Sequence, residues 1–129
     1  MTVRLMVIED TDHVRTMLVD ILGLHGFDVA ADAADGQEAL RAVDGADPDV
    51  VVVDYRMGDM DGIEVARRIL ERRPEQHVVL YSAFLDEAVQ REALAAGVAA
   101  CVEERAGVED LAREITAVAM DLRGNGRRG

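Results

Sequence analysis

Five short apolar runs, separated by longer stretches of helical periodicity, constrain this chain more than any other feature. The runs fall at residues 5–8, 27–31, 50–53, 78–81 and 98–102. Most are rich in valine and lack polar alternation, as strands covered on both faces do. The run at 27–31 is the weakest, because Asp28 interrupts it.

The intervening stretches carry apolar stripes at helical spacing. Val14, Met17, Leu18, Ile21 and Leu22 share one face, with Gly23 or Gly26 as the stop signal. Asp35 and Glu38 have capping-box spacing ahead of Ala39, Leu40 and Val43. Ile63, Ala66, Ile69 and Leu70 form a third stripe that ends near Pro74. Val89, Ala93 and Ala96 form a weaker fourth, closed by Gly97. Leu111, Ile115, Val118 and Leu122 form the fifth.

Five strand–helix alternations predict an α/β fold: a doubly wound, five-stranded parallel sheet of (βα)5 type. Right-handed crossovers place helices on both faces. The length of 129 residues suits one domain. Residues 1–123 are read as that domain, and 124–129 (Gly-Asn-Gly-Arg-Arg-Gly) as a flexible tail or the start of a linker.

Charge narrows the function. Asp and Glu number 26 against 14 basic residues, a formal net charge of −12. Such a surface repels phosphate backbones and anionic lipids, so neither nucleic acid nor membrane is an expected partner. The lone Cys101 permits no internal disulfide and fits a reducing compartment. His13, His25 and His77 lack metal-ligand spacing. The N-terminal apolar run meets Glu9 too soon for a signal peptide or membrane span, so a cytoplasmic protein is expected.

Ligands of open parallel sheets bind at the carboxyl ends of the strands. The first run ends in Glu9-Asp10, the third in Asp54, the fourth in Ser82, and the fifth in Glu103-Glu104-Arg105. Taken singly, an acid after a strand is ordinarily a helix cap, and Asp10, Thr11 or Asp12 suits that role. Taken together, three converging carboxylates repel one another and call for a cation. An all-oxygen ligand set suits a hard ion such as Mg²⁺. A carboxylate in such a site is a competent nucleophile toward phosphorus, and Ser82 is placed to hydrogen-bond a phosphoryl oxygen.

These residues resemble the receiver domain of bacterial response regulators over nearly the whole chain. Glu9-Asp10 is similar to the family's metal-binding pair. Residues 54–62, Asp-Tyr-Arg-Met-Gly-Asp-Met-Asp-Gly, resemble its phosphoacceptor motif Asp-x-x-Met-Pro-x-Met-Asp-Gly. Ser82-Ala83 and Ala96-Gly97 resemble two further short signatures. The resemblance implies a flavodoxin-like strand order 2-1-3-4-5. It implies Asp54 as phosphoacceptor, with Mg²⁺ held by Glu9, Asp10, Asp54 and the main-chain carbonyl of Arg56. A sensor histidine kinase is the implied donor, and a downstream protein or output domain the implied target. The fourth helix, fifth strand and fifth helix form the implied switching face, a surface also suited to homodimerisation.

Four positions depart from the family. Glu104 stands where the family has a phosphoryl-contacting lysine, and Arg105 where it usually has proline. Cys101 occupies the aromatic switch position, and is expected to be a buried core residue. Gly58 replaces the motif's proline. Met57 and Met60 are read as core and loop anchors, while Arg56 and Phe84 fill the two variable positions that flank the phosphoryl group in receivers. Because of Glu104, a second reading stays open: an atypical receiver that signals through protein contacts without phosphotransfer. A third, a Mg²⁺-dependent phosphohydrolase using Asp54, lacks room for a cap domain.

Overall fold

Val50 to Val53 are each at most 1% exposed, so this run is covered on both faces over its full length. It forms the centre of a sheet in a computed structural model that describes residues 2–58 and 60–120. The elements alternate as the sequence predicts. They are β1 (Arg4–Ile8), α1 (Asp12–Leu24), β2 (Asp28–Ala33), α2 (Gly36–Ala46), β3 (Val50–Asp54), α3 (Gly62–Arg72), β4 (His77–Ser82), α4 (Glu87–Ala95), β5 (Ala100–Glu103) and α5 (Val108–Ala119). A single 3₁₀ turn, Glu104–Ala106, joins β5 to α5. The strands pair in parallel in the order β2-β1-β3-β4-β5.

Strand alternation divides the interior into two cores. Met6, Ile8, Val51, Val53, Val78 and Leu80 face α2, α3 and α4, where they meet Val43, Ile63, Ile69 and Ala93. Leu5, Val7, Val50, Val52 and Val79 face α1 and α5, where they meet Leu18, Leu22, Leu111 and Ile115.

Several boundaries shift for local reasons. β2 runs on to Ala33, because Asp32 turns outward while Ala33 packs inward at the strand's end. β5 begins at Ala100 instead of Val98, since Gly97 takes φ +103° and Val98 donates back to the Ala93 carbonyl to close α4. Gly26, at φ +94°, follows the end of α1, whereas Gly23 lies inside the helix. Met17 does not join the core face. It is 51% exposed, because the buried stripe is Leu18 and Leu22 and Met17 sits one helical step off it, while Val19 packs instead. Leu122 and the tail at 124–129 lie outside the described residues.

Cys101 is half-buried, not buried as expected. It packs against the α3–α4 core, but β5 is an edge strand. A groove of about 210 Å³ lined by Leu85, Gln90, Glu103, Asp110 and Glu114 opens beside it. Burial still pushes its thiol above the usual range. Native Cys101 is therefore expected to react several-fold more slowly with a thiol reagent at neutral pH than the unfolded chain does; equal rates would show a free, exposed thiol.

Glycine is demanded at one position near the site. A Cβ on Gly62 would stand 2.1 Å from the Asp54 carbonyl oxygen. The Gly62 N–H donates to the Tyr55 carbonyl at 2.6 Å, closing the loop at its base. Asp61 then caps α3 by accepting from the Glu64 N–H. Gly62→Ala is expected to cost about 1–3 kcal/mol, as forced overpacking does, read as a lower urea midpoint.

Candidate functional site

Parallel register brings the predicted residues to one edge. Ile8 pairs with Val53, Asp54 with Tyr81, and Ser82 with Glu103. The residues that follow each strand therefore leave the sheet side by side.

Glu9, Asp10 and Asp54 come together, each offering a carboxylate oxygen within 4.8 Å of the others. Glu9 is 3% exposed, Asp10 is exposed and Asp54 half-buried. Glu9 is held firmly: its N–H donates to the Ala33 carbonyl, and its carboxylate accepts from the Thr11 N–H at 3.0 Å. Thr11 occupies the N-cap of α1 without a side-chain capping bond. Asp10 accepts no main-chain hydrogen bond among the described residues, so it does not serve as the helix cap.

Burial pushes the Asp54 carboxyl up to about 7, helped by the Glu9 charge, a hydrogen bond with Glu9 and, more weakly, the Glu104 charge. The Arg56 N–H, donating to Asp54, opposes this rise. Burial and the Glu9 charge push the Glu104 carboxyl up as well. Tyr81 also titrates high, from burial and then from Glu104. Glu104 thus acts on the same electrostatic site as the three clustered acids.

The remaining candidates are placed differently. Ser82 is buried, but its hydroxyl is engaged in its own turn, donating to the Phe84 carbonyl and accepting from the Phe84 N–H. Phe84 itself is exposed. The chain bends after β5, yet Arg105 turns outward: it is 83% exposed and pairs with Glu103 at 3.6 Å. Arg15 approaches from α1, but its guanidinium is committed to the Glu9 carbonyl and to Asp12. All 14 basic residues of the chain are arginines, so it contains no lysine.

The loop after Asp54 is anchored as its methionines predict. Met57 is buried, and Met60 packs so closely on Gly36 that a Cβ there would lie 2.7 Å from its sulfur. Gly58 takes φ +32°, which proline, locked near −65°, does not adopt. A cavity of about 210 Å³ lined by Asp10, Gly36, Met57, Gly58 and Met60 lies beside the acids. Sequence reasoning did not single out Gly36 or Arg15. The repeated Asp-Gly at 35–36 and 61–62, each a cap followed by a close approach, is the signal for the glycine.

A parallel sheet in this order, with carboxylates gathered where its strands end, defines a doubly wound α/β domain with an acidic site at its ligand edge. The family model of the response regulator receiver domain matches residues 5–116. Chemotaxis protein CheY of Thermotoga maritima is 33% identical over 94 residues, covering 73% of this chain and 78% of that protein. A protein-glutamate methylesterase/protein-glutamine glutaminase of Haloarcula marismortui is 44% identical over 85 residues, 66% of this chain but 23% of that protein. The signal receiver domain of NarL from Mycobacterium tuberculosis superposes with a TM-score of 0.84 at 30% identity, over 92% of this chain and 97% of that one. The chain belongs to the response regulator receiver family. It spans under a quarter of the length of the methylesterase. No described helix is long and apolar enough to cross a membrane.

The raised Asp54 carboxyl has a stability consequence with a definite sign. Between the usual aspartate range and about 7, the folded state holds a proton that the unfolded chain releases. Metal-free protein is therefore expected to lose stability as pH rises through that window. Asp54→Asn removes the loss. The variant should be more stable than wild type above pH ~7 by about 1–2 kcal/mol, after allowance for solvent screening of this half-exposed group. Urea melts across the window in a chelator check this; parallel pH profiles for the two proteins would refute it.

Proposed function

We propose that this domain accepts a phosphoryl group on Asp54 from a sensor histidine kinase and passes the change to a protein-interaction face. The observation that carries this reading is the convergence of Glu9, Asp10 and Asp54 within 4.8 Å at the sheet edge. An Asp54 carboxylate oxygen forms the new bond to phosphorus, and the donor leaves with the electron pair of the broken one. Asp54 must be ionised to do this, and its environment alone holds it partly protonated at neutral pH.

The donor set fits a divalent cation. It is all oxygen, lacks Cys and His, and carries repulsion that a cation relieves. Glu9, Asp10, Asp54 and the Arg56 carbonyl would hold Mg²⁺. Bound there, the ion supplies positive charge to the phosphoryl oxygens. Ser82 reaches a phosphoryl oxygen by exchanging its Phe84 contacts for it, which couples the site to the β4–α4 loop. The face formed by α4, β5 and α5 then reads out the state. Its target is a downstream protein or an attached output domain, and a homodimer uses the same face. In this reading the domain is a phosphoacceptor that takes part in its own phosphotransfer, and is not a phosphohydrolase.

Glu104 favours a second reading, a receiver that signals without phosphotransfer. One experiment separates them. Wild type and Asp54→Asn are incubated with phosphoramidate and Mg²⁺, then weighed intact. Gain of one phosphoryl group in wild type alone supports phosphotransfer; no gain in either supports the phosphorylation-independent module. Mg²⁺ titration should also show at least tenfold weaker binding for Asp10→Ala, as loss of a charged ligand does.

A further inference from the structure

Glu104 is a charged side chain in the wrong sign for the reaction proposed above, and its surroundings leave that charge standing. It follows Glu103, which pairs with Ser82, so it sits at the same sheet edge as Asp54 and Ser82. It is half-buried in the turn after β5. Among the described residues no cation pairs with it. Arg105 pairs with Glu103, and Arg15 with the Glu9 carbonyl and Asp12. Arg56, in the loop that follows Asp54, is exposed and forms no ion pair with Glu104. Glu104 therefore adds a fourth carboxylate to the sheet edge where Glu9, Asp10 and Asp54 converge, and four such charges outweigh a single divalent cation.

An entering phosphodonor meets that excess negative charge before any bond changes. Donors differ in how much charge they bring. Near neutral pH an acyl phosphate such as acetyl phosphate is a dianion whose leaving group departs as an anion. An N-phosphoryl donor such as phosphoramidate is a monoanion with a protonated nitrogen. In phosphoramidate the P–N bond breaks as the Asp54 O–P bond forms, and ammonia leaves with the pair. In acetyl phosphate the P–O bond breaks and acetate leaves. The geometry points to Glu104 as a specificity-determining residue that selects N-phosphoryl donors, phosphorylated amines and imidazoles, over acyl phosphates. This rests on Asp54 being the phosphoacceptor. The effect is electrostatic and acts on donor charge, so it is a ratio between donors and not an overall rate.

The test measures initial labelling rates by intact mass with phosphoramidate and with acetyl phosphate, in Mg²⁺, for wild type, Glu104→Gln, Glu104→Lys and Arg105→Ala. The ratio of the two rates cancels any general loss of folding or reactivity. The ratio in favour of phosphoramidate should fall roughly three- to tenfold in Glu104→Gln, the Coulomb effect of one charge a few ångströms from a donor differing by one charge. It should fall further in Glu104→Lys. Arg105→Ala, a charge change on the neighbouring outward-facing side chain, should hold the ratio within about twofold. Raising the salt should move wild type toward Glu104→Gln. An identical ratio in wild type and Glu104→Gln overturns the inference and leaves the Asp54 reading intact. Wild type labelled by neither donor while Glu104→Gln takes both equally also overturns it, because Glu104 then blocks instead of selecting. No label in any of the four proteins overturns the phosphoacceptor reading, and the inference with it.

Discussion

Carboxylates gathered at the end of a parallel sheet repel one another, and the architecture has to hold them against that repulsion. The valine core does the holding. Val50 to Val53 are sealed on both faces, so β3 has no register in which Asp54 can retreat from the edge. A one-residue slip would exchange the side chains of the two cores. Glu9 is fixed by the Ala33 carbonyl and the Thr11 N–H. The repulsion is thus not relaxed by movement. It is expressed as proton affinity, and adds to burial, the larger cause, in pushing the Asp54 carboxyl up to about 7.

That arrangement makes the site responsive to charge of any kind. A proton changes the balance at that cluster, and so, in the proposed reading, would a metal ion or a phosphoryl group. Members of the family with a lysine after β5 have a built-in cation there. This chain places Glu104 at that point and turns Arg105 out to Glu103. The difference lies in one turn of backbone, yet it reverses the local sign.

Much of this was legible in the sequence, and for physical reasons. Buried parallel strands write themselves as valine runs, and a strand's last residue is the one that reaches the ligand edge, so Glu9, Asp10, Asp54 and Ser82 stand out. Asp35 announced its helix by capping chemistry. Other features were not legible. Met17 has the right spacing for the core face, but a stripe two residues wide per turn leaves it in solvent. Cys101 looks like a core residue until β5 proves to be an edge. The rotamer-level facts, such as Ser82 turning to Phe84 and Arg15 to Asp12, depend on contacts between segments far apart in the chain or on local turns that periodicity does not encode.

The closure at Gly62 has one more consequence. The hydrogen bond from its N–H to the Tyr55 carbonyl, and the contact with the Asp54 carbonyl that only glycine permits, tie the loop shut where it leaves and rejoins the scaffold. The loop between Tyr55 and Gly62 is therefore hung from a fixed clasp. The clasp at Gly62 separates the loop that holds Gly58 from the strand before it and the helix after it. Evolution is free to retune what stands beside Asp54 while the strand that carries it stays where it is.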